Sequence, residues 1–232
     1  MVVEKTVRKW KRLKSDVLAC LQARDFSDGL STLLRMRPRQ VINPLISLFL
    51  SSDDIVRWRA ITAAGRVVAG LADEDMEGAR VIMRRFMWML NDESGGIGWG
   101  APEAIGEAVA CHDRLGREYA NMLISYVCQE QNYLEYEPLQ RGALWAIGRV
   151  AEVKVELVKD AAPCLVPNLE FEDAGIRGLS ARAAGLIGIE TAEEKLEALL
   201  NDHREISFFS DNELIFRTVS SLAQDALSLY GS

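Results

Sequence analysis

The sequence contains no long hydrophobic run. Its most apolar stretches, such as the one around Leu45 to Leu50, fall far short of the roughly 20 residues that cross a bilayer as a helix. No transmembrane helix is expected. Residues Met1 to Lys14 are rich in Lys and Arg, but they lead into neither the apolar segment nor the small-residue cleavage site of a secretory signal. A soluble, cytoplasmic protein is expected. Histidine is nearly missing, with only His112 and His203, and the four cysteines, Cys20, Cys111, Cys128 and Cys164, form no CxxC pair. These shortages argue against a histidine-rich metal site, a zinc knuckle and a dithiol redox motif. Free, mostly buried thiols are expected, with no metal and no cofactor. Strand-like alternation is scarce as well, since no run keeps a period of two long enough to compete with helix.

What remains is the composition of an ordinary folded protein. Of 232 residues, 49% are hydrophobic and 26% charged, enough to bury a core without staples. The net charge of −7 weighs against tight non-specific binding to nucleic acid, which needs Lys and Arg to neutralise phosphates. That charge is uneven. Residues 1–40 hold ten basic and four acidic side chains, a balance of +6, so the remainder carries −13. A basic end could contact an acidic partner, nucleic acid or a membrane surface. Its charges surround Trp10, Leu13, Val17, Leu18 and Leu21 at helical spacing, which is also the pattern of a solvated helix face.

The chain repeats itself. Segments Arg57–Val68, Gly98–Val109, Gln140–Ala151 and Arg177–Gly188 align without gaps on Gly65, Gly106, Gly148 and Gly185, spaced 41, 42 and 37 residues apart. Small or apolar residues recur at fixed offsets: Ala60, Ala63 and Ala64, then Ala101, Ala104 and Ile105, then Ala143, Ala146 and Ile147, then Ser180, Ala183 and Ala184. Glycine costs about 1 kcal/mol in a helix interior, so four at one register imply a close approach between neighbouring helices. Ahead of each segment lies a bulkier amphipathic stretch, Val41–Leu50, Arg80–Leu90, Ala120–Cys128 and Ala162–Leu169, read as the outer helix of each pair. The turns after them, at Ser51–Asp54, Asn91–Gly96, Glu135–Pro138 and Glu170–Gly175, carry the acidic and breaker residues that start helices.

A divergent fifth pair is expected at Ala192–Leu200 and Asn212–Leu229, and helices at Val2–Ala23 and Ser27–Met36 precede the first unit. The expected architecture is all-α: a right-handed α-α superhelix of about five helical pairs with N-terminal capping helices. It forms a single domain over 1–232, divided into a basic cap (1–39), four recognisable repeats (40–190) and a divergent C-terminal cap (191–232). Such ends suit a solenoid, whose terminal apolar faces need covering.

The pattern resembles the HEAT repeats, specifically the short repeats of the phycobilisome-lyase-like type. In these the second helix opens with Val-Arg and continues through Ala-Ala to a Leu-Gly pair. Val56-Arg57 and Ile176-Arg177 match the opening, and Ala64-Gly65 and Ala184-Gly185 the end, whereas Gly98 and Gln140 stand where the second and third units would carry arginine. The resemblance covers roughly residues 40 to 190. It implies a solenoid and, for most such arrays, a scaffold or adaptor without catalytic activity; fold does not fix function.

If the glycine-containing helices line the concave face, the residues seven and three before each glycine and one after it share one side of the helix. They read Trp58, Thr62, Arg66; Trp99, Glu103, Glu107; Arg141, Trp145, Arg149; and Gly178, Arg182, Leu186. Tryptophan and arginine with flanking charge are the composition of binding hot spots. The stripe therefore reads as a groove for a peptide or protein partner. It also reads as a structural ladder of Arg66, Glu103, Glu107 and Arg149 between repeats. Among these, Glu103 and Glu107 could form an acid/base pair and His112-Asp113 a base with its orienter. Adjacent residues diverge on a helix, so the latter reads better as a helix end, and no catalytic residue is assigned.

The loop running from Ser94 into the second inner segment is the least typical local sequence, with Gly95, Gly96, Gly98 and Gly100 ahead of Pro102 at the first helical position. It matches no phosphate-binding motif, and Glu103 and Glu107 would repel an anion. A backbone passing close to a neighbouring repeat or a partner accounts for the glycines better.

Three functions follow. The first is a non-enzymatic scaffold that binds a peptide or protein on the concave face. The second is a DNA-binding or DNA-repair protein like the DNA-alkylation-repair glycosylases, whose short HEAT-like arrays set Trp, Arg and a carboxylate on the concave face; Trp99, Glu103, Arg141 and Trp145 would be the analogous groups. The third, implied by the resemblance alone, is a lyase or chaperone partner for a prosthetic group. The sequence assigns no partner, pathway or oligomeric state.

Overall fold

The computed structural model describes residues 2–91 and 95–230. The side chains of Lys5, Arg8 and Lys9, and Asp92, Glu93 and Ser94 of the expected turn, lie outside the described residues.

Helices α1 (Val2–Leu21) and α2 (Phe26–Arg35) precede four pairs: α3 (Pro38–Ser47) with α4 (Asp54–Glu74), α5 (Met76–Met89) with α6 (Ala101–Cys111), α7 (Asp113–Ser125) with α8 (Glu137–Lys154), and α9 (Ala162–Asn168) with α10 (Ala174–Ile187). The chain continues through α11 (Glu193–Ala198), strands β1 (Glu205–Ser210) and β2 (Glu213–Thr218), and α12 (Val219–Tyr230). The first helix of each pair forms the outer layer and the second the inner one. Inner helices pack directly on one another in the order α4, α6, α8, α10, with α12 next in the row. The fold is an all-α solenoid with one small sheet.

Local chemistry starts these helices where the sequence places them. Asp53, Asp75 and Asp173 each accept a hydrogen bond from a backbone N–H in the first turn of α4, α5 and α10, satisfying donors that the helix leaves open. The Val-Arg opening has a related role: Arg177 donates to the carbonyl oxygens of Phe171 and Glu172 in the turn before α10, and Arg57 reaches Ser51 O at 3.5 Å in the equivalent turn.

The glycine register works as a contact row. A Cβ on Gly65 would stand 2.6 Å from Glu107 Cβ, and one on Gly185 2.5 Å from Ala226 Cα, while Gly106 meets Ala146 and Gly148 meets Arg182 in the same way. Gly65, Gly106 and Gly185 admit the body of the next inner helix, and Gly148 admits the Arg182 side chain that the next one carries. One continuous core results, from Val17 to Ala226, with Phe49, Phe86, Leu123, Leu144 and Ile147 among its largest buried side chains.

Two expectations are overturned. Residues 205–218 form an antiparallel hairpin, with Phe208 opposite Ile215 and Phe209 opposite Leu214, so the last helix begins at Val219 and not at Asn212. Asp211 and Asn212 take positive φ values of 52° and 66°, the geometry of a two-residue type I′ turn, which Asn and Asp tolerate. Ile206, Phe208 and Phe209 are buried in the solenoid while Glu205 and Ser207 face out.

Cys128 and Cys164 form a disulfide, with Cα atoms 4.9 Å apart, while Cys20 and Cys111 are free. Their separation of 36 residues is close to one repeat, which brings the two cysteines side by side on adjacent outer-layer units. Among the described residues no helix is long and apolar enough to cross a membrane.

Candidate functional site

Helix α6 carries the two carboxylates of the stripe one turn apart, and the structure treats them differently. Glu107 is almost wholly buried and sits between two arginines: Arg66 Nε on α4 lies 2.7 Å from Oε1, and Arg149 Nε on α8 lies 2.7 Å from Oε2. Burial alone would raise its pKa, but Arg149 and Arg66 outweigh it and hold the carboxyl below its ordinary value. The ladder continues from Arg149 to Glu152 and from Glu152 to Arg182. Glu103 takes no part in it.

The hairpin crosses this half of the concave face. Its strands contact α10 and α12 on one side and α4 on the other. Phe209 stacks on Trp58 with ring centroids 5.6 Å apart, and Trp58 meets Trp145 at 5.1 Å. The Trp145 indole N–H donates to Phe209 O at 2.7 Å, and Arg182 lies over the Phe208 ring. Trp145 is buried in consequence. The stripe therefore divides. Arg66, Glu107, Arg149 and Arg182 form a covered ionic ladder under the hairpin, whereas Trp58, Trp99, Glu103 and Arg141 open onto a cleft.

That cleft, about 740 Å³, lies where the N-terminal ends of α4, α6, α8 and α10 converge. Trp58, Trp99, Trp145 and Phe208 supply aromatic walls, and β1 closes one side with Glu205 to Phe208. Leu50 and Tyr136 stand exposed at its margin, Tyr136 edge-on to Trp99 at 5.7 Å. Arg141 holds Asp173 through two hydrogen bonds of 2.9 and 2.6 Å, and Arg57 is paired with Asp54 at 2.9 Å.

Glu103 is half-buried as a residue, with its Oε2 shielded from solvent and lacking any hydrogen-bond partner. Burial pushes its carboxyl up to about 7, with a hydrogen bond from its own backbone N–H and then Arg57 offsetting only part of the effect. Its carboxyl rests on the backbone of Gly142, where a Cβ would stand 2.7 Å from Glu103 Oε1.

The glycine loop serves the same corner. Gly95, Gly98 and Gly100 have positive φ. A Cβ on Gly98 would stand 2.5 Å from Met89 O, and one on Gly100 2.7 Å from Ile61, so the backbone runs against the end of its own outer helix α5 and then against the neighbouring repeat before turning into α6. A Cβ on Gly96 would meet nothing within 4 Å. Pro102 stands second in α6, one position later than expected. His112 ends α6 and caps α7, its Nδ1 accepting from Leu115 N–H at 3.2 Å. Among the described residues no cluster of three metal-ligating side chains occurs.

A family model for the HEAT-like repeat matches residues 137–183, spanning α8 and most of α10. That stretch is a HEAT-like repeat. The HEAT-like array resembles, at 26% identity over 182 residues, an uncharacterized protein of Archaeoglobus fulgidus, with 77% of this chain and 91% of that one aligned. Among solved structures, one engineered protein matches 95% of this chain and 96% of its own with a TM-score of 0.54 at 15% identity, and a second matches 94% and 98% with a TM-score of 0.50 at 18%. These likenesses concern fold.

Sequence reasoning identified the stripe but not its cover. Phe208 and Glu205 enter the cleft from the hairpin, with Phe209 behind them stacked on Trp58, and Arg57, Asp173 and Gly142 enter from positions beside the stripe. The Asp211-Asn212 pair was the available signal for the hairpin.

Proposed function

We propose that this HEAT-like protein is a non-enzymatic scaffold that captures an extended segment of a protein partner in the cleft between the inner-helix N-termini and the hairpin. The observation that carries the reading is the cleft itself, which draws residues from four consecutive repeats and lines them with three tryptophans and two arginines. Binding energy concentrates in such aromatic and arginine anchors held by a rigid frame. Arg141 and Arg57 are held by their carboxylates, so the walls are preorganised and little entropy is lost on docking. The same pairing leaves the cleft without a surplus of cations to meet phosphates, which favours a protein partner over DNA.

The test is to select a displayed random-peptide library on the wild type and on Trp99→Ala in parallel, with helicity checked by circular dichroism. Trp99 is partly exposed on the cleft wall, so its removal should spare the fold. A family of peptides enriched on the wild type and lost on the variant supports the scaffold. Absence of enrichment, or enrichment indifferent to Trp99, overturns it, as would steeply salt-dependent binding of duplex DNA in the cleft.

A further inference from the structure

Within the cleft just assigned to a partner, one buried carboxyl oxygen has no hydrogen-bond partner. Glu103 stands in the first turn of α6 with its carboxyl against Gly142 of α8, and Oε2 is buried and unpartnered. Both arginines of the cleft are committed elsewhere, Arg57 to Asp54 and Arg141 to Asp173. A buried polar group without a partner costs free energy unless something supplies the missing bond. The cleft's charged groups are Arg57, Arg141, Asp173, Glu205 and Glu103, so an ionised Glu103 leaves it one negative charge in excess. Beyond residue 40 the chain carries −13, a field that draws in cations.

We propose that the Glu103 corner is a subsite for a Lys or Arg side chain of the bound protein segment, its cation pairing with the Glu103 carboxylate between the aromatic walls of Trp58 and Trp99. Aromatic faces attract an ammonium or guanidinium and also cover its aliphatic stem. This subsite rests on the scaffold reading.

A proton is linked to the event. Glu103, with its pKa near 7, must ionise to pair with the cation, so capture releases a proton. Lowering the pH from 8 to 6 should therefore weaken binding about tenfold, the change in the ionised fraction of a group titrating at 7. The charged groups facing Glu103 are Arg57 from α4, Arg141 from α8, Asp173 ahead of α10 and Glu205 from β1. Glu103→Gln retains all four, so a pH dependence that it abolishes belongs to Glu103.

The probes are fluorescein-labelled octapeptides of alternating Lys and Gly, the same peptide with every lysine acetylated, and its Glu counterpart, read by fluorescence polarisation on the full chain. The lysine peptide should bind, and the acetylated and Glu peptides at least tenfold more weakly. Glu103→Gln should bind the lysine peptide about tenfold more weakly at pH 8, with a flat response to pH 6. Equal binding of the acetylated peptide, no binding of the lysine peptide, or an unaltered Glu103→Gln overturns the subsite. The library selection separates the two readings: Trp99-dependent peptides lacking any basic residue would keep the scaffold and eliminate the subsite, whereas no Trp99-dependent peptide would eliminate both.

Discussion

Replacing Glu103 by Gln should stabilise the protein at alkaline pH and leave it nearly unchanged in acid. Burial in the corner against Gly142 holds the carboxyl at about 7 against an ordinary value of 4.5. A carboxyl with a raised folded value binds its proton more tightly in the native state. Its contribution is therefore fully present below the unfolded value and is lost as the pH rises through the folded one. The interval corresponds to about 3 kcal/mol, of which about 2.5 falls between pH 5 and pH 8. Both figures are upper values, because part of the side chain faces the cleft and is screened. Gln cannot ionise, so it escapes the loss. Urea unfolding of the wild type and Glu103→Gln at pH 5, 6, 7 and 8 measures the difference, and both histidines are common to the pair, so their titration cancels. The variant should gain on the wild type progressively above pH 5. Parallel stability curves across this range would mean that Glu103 is not held protonated, and the argument for an unpaired carboxyl would fall with them.

The hairpin and the disulfide give two further expectations. Phe209→Ala removes a buried ring from between the hairpin and Trp58, which should cost about 3 kcal/mol and shift tryptophan emission to the red; unchanged emission would contradict the seating of the hairpin on α4. Reducing the Cys128–Cys164 bond, which closes a loop of 36 residues, should lower urea stability by about 2–4 kcal/mol. A Cys128→Ser, Cys164→Ser double variant insensitive to reductant serves as the control, and reductant that leaves the wild type unaffected would refute the bond.

The repeat was legible in the sequence because one physical requirement recurs at one register. Gly65, Gly106 and Gly185 each admit the body of the next inner helix and Gly148 its Arg182 side chain, and room needed four times at one register leaves a period that composition alone would not reveal. The hairpin was hidden for the opposite reason. Phe208-Phe209 and Leu214-Ile215 place apolar residues side by side, since one face of the hairpin meets the solenoid and its edge meets the aromatic cluster. That blurs the alternation by which a strand is recognised. The disulfide left no local mark at all, because its partners are neighbours only after consecutive repeats have stacked. The stripe was legible as a helix face, but its accessibility depended on a segment more than 60 residues beyond Trp145 folding back over it.

Glu103 and Glu107 sharpen the distinction between groups that hold this fold together and groups available to a ligand. They occupy the same face of the same helix one turn apart, and from sequence they are equivalent. Glu107 receives two arginines and becomes the centre of a ladder joining three repeats. A ladder of that kind locks the register between inner helices, and the hairpin lies across it. Glu103 lies just as near to arginines in the sequence, yet Arg57 turns to Asp54 and Arg141 to Asp173, and the glycine at 142 makes room for the carboxyl without offering it a bond. Stability alone would favour an apolar residue or an amide in that corner. Among the described residues Glu103 Oε2 is one of five buried side-chain polar atoms without a partner, with Arg59 Nε, Thr62 Oγ1, Asn168 Nδ2 and Ser180 Oγ, and it is the one of the five that lies in the aromatic cleft, which marks the place where binding rather than folding sets the residue.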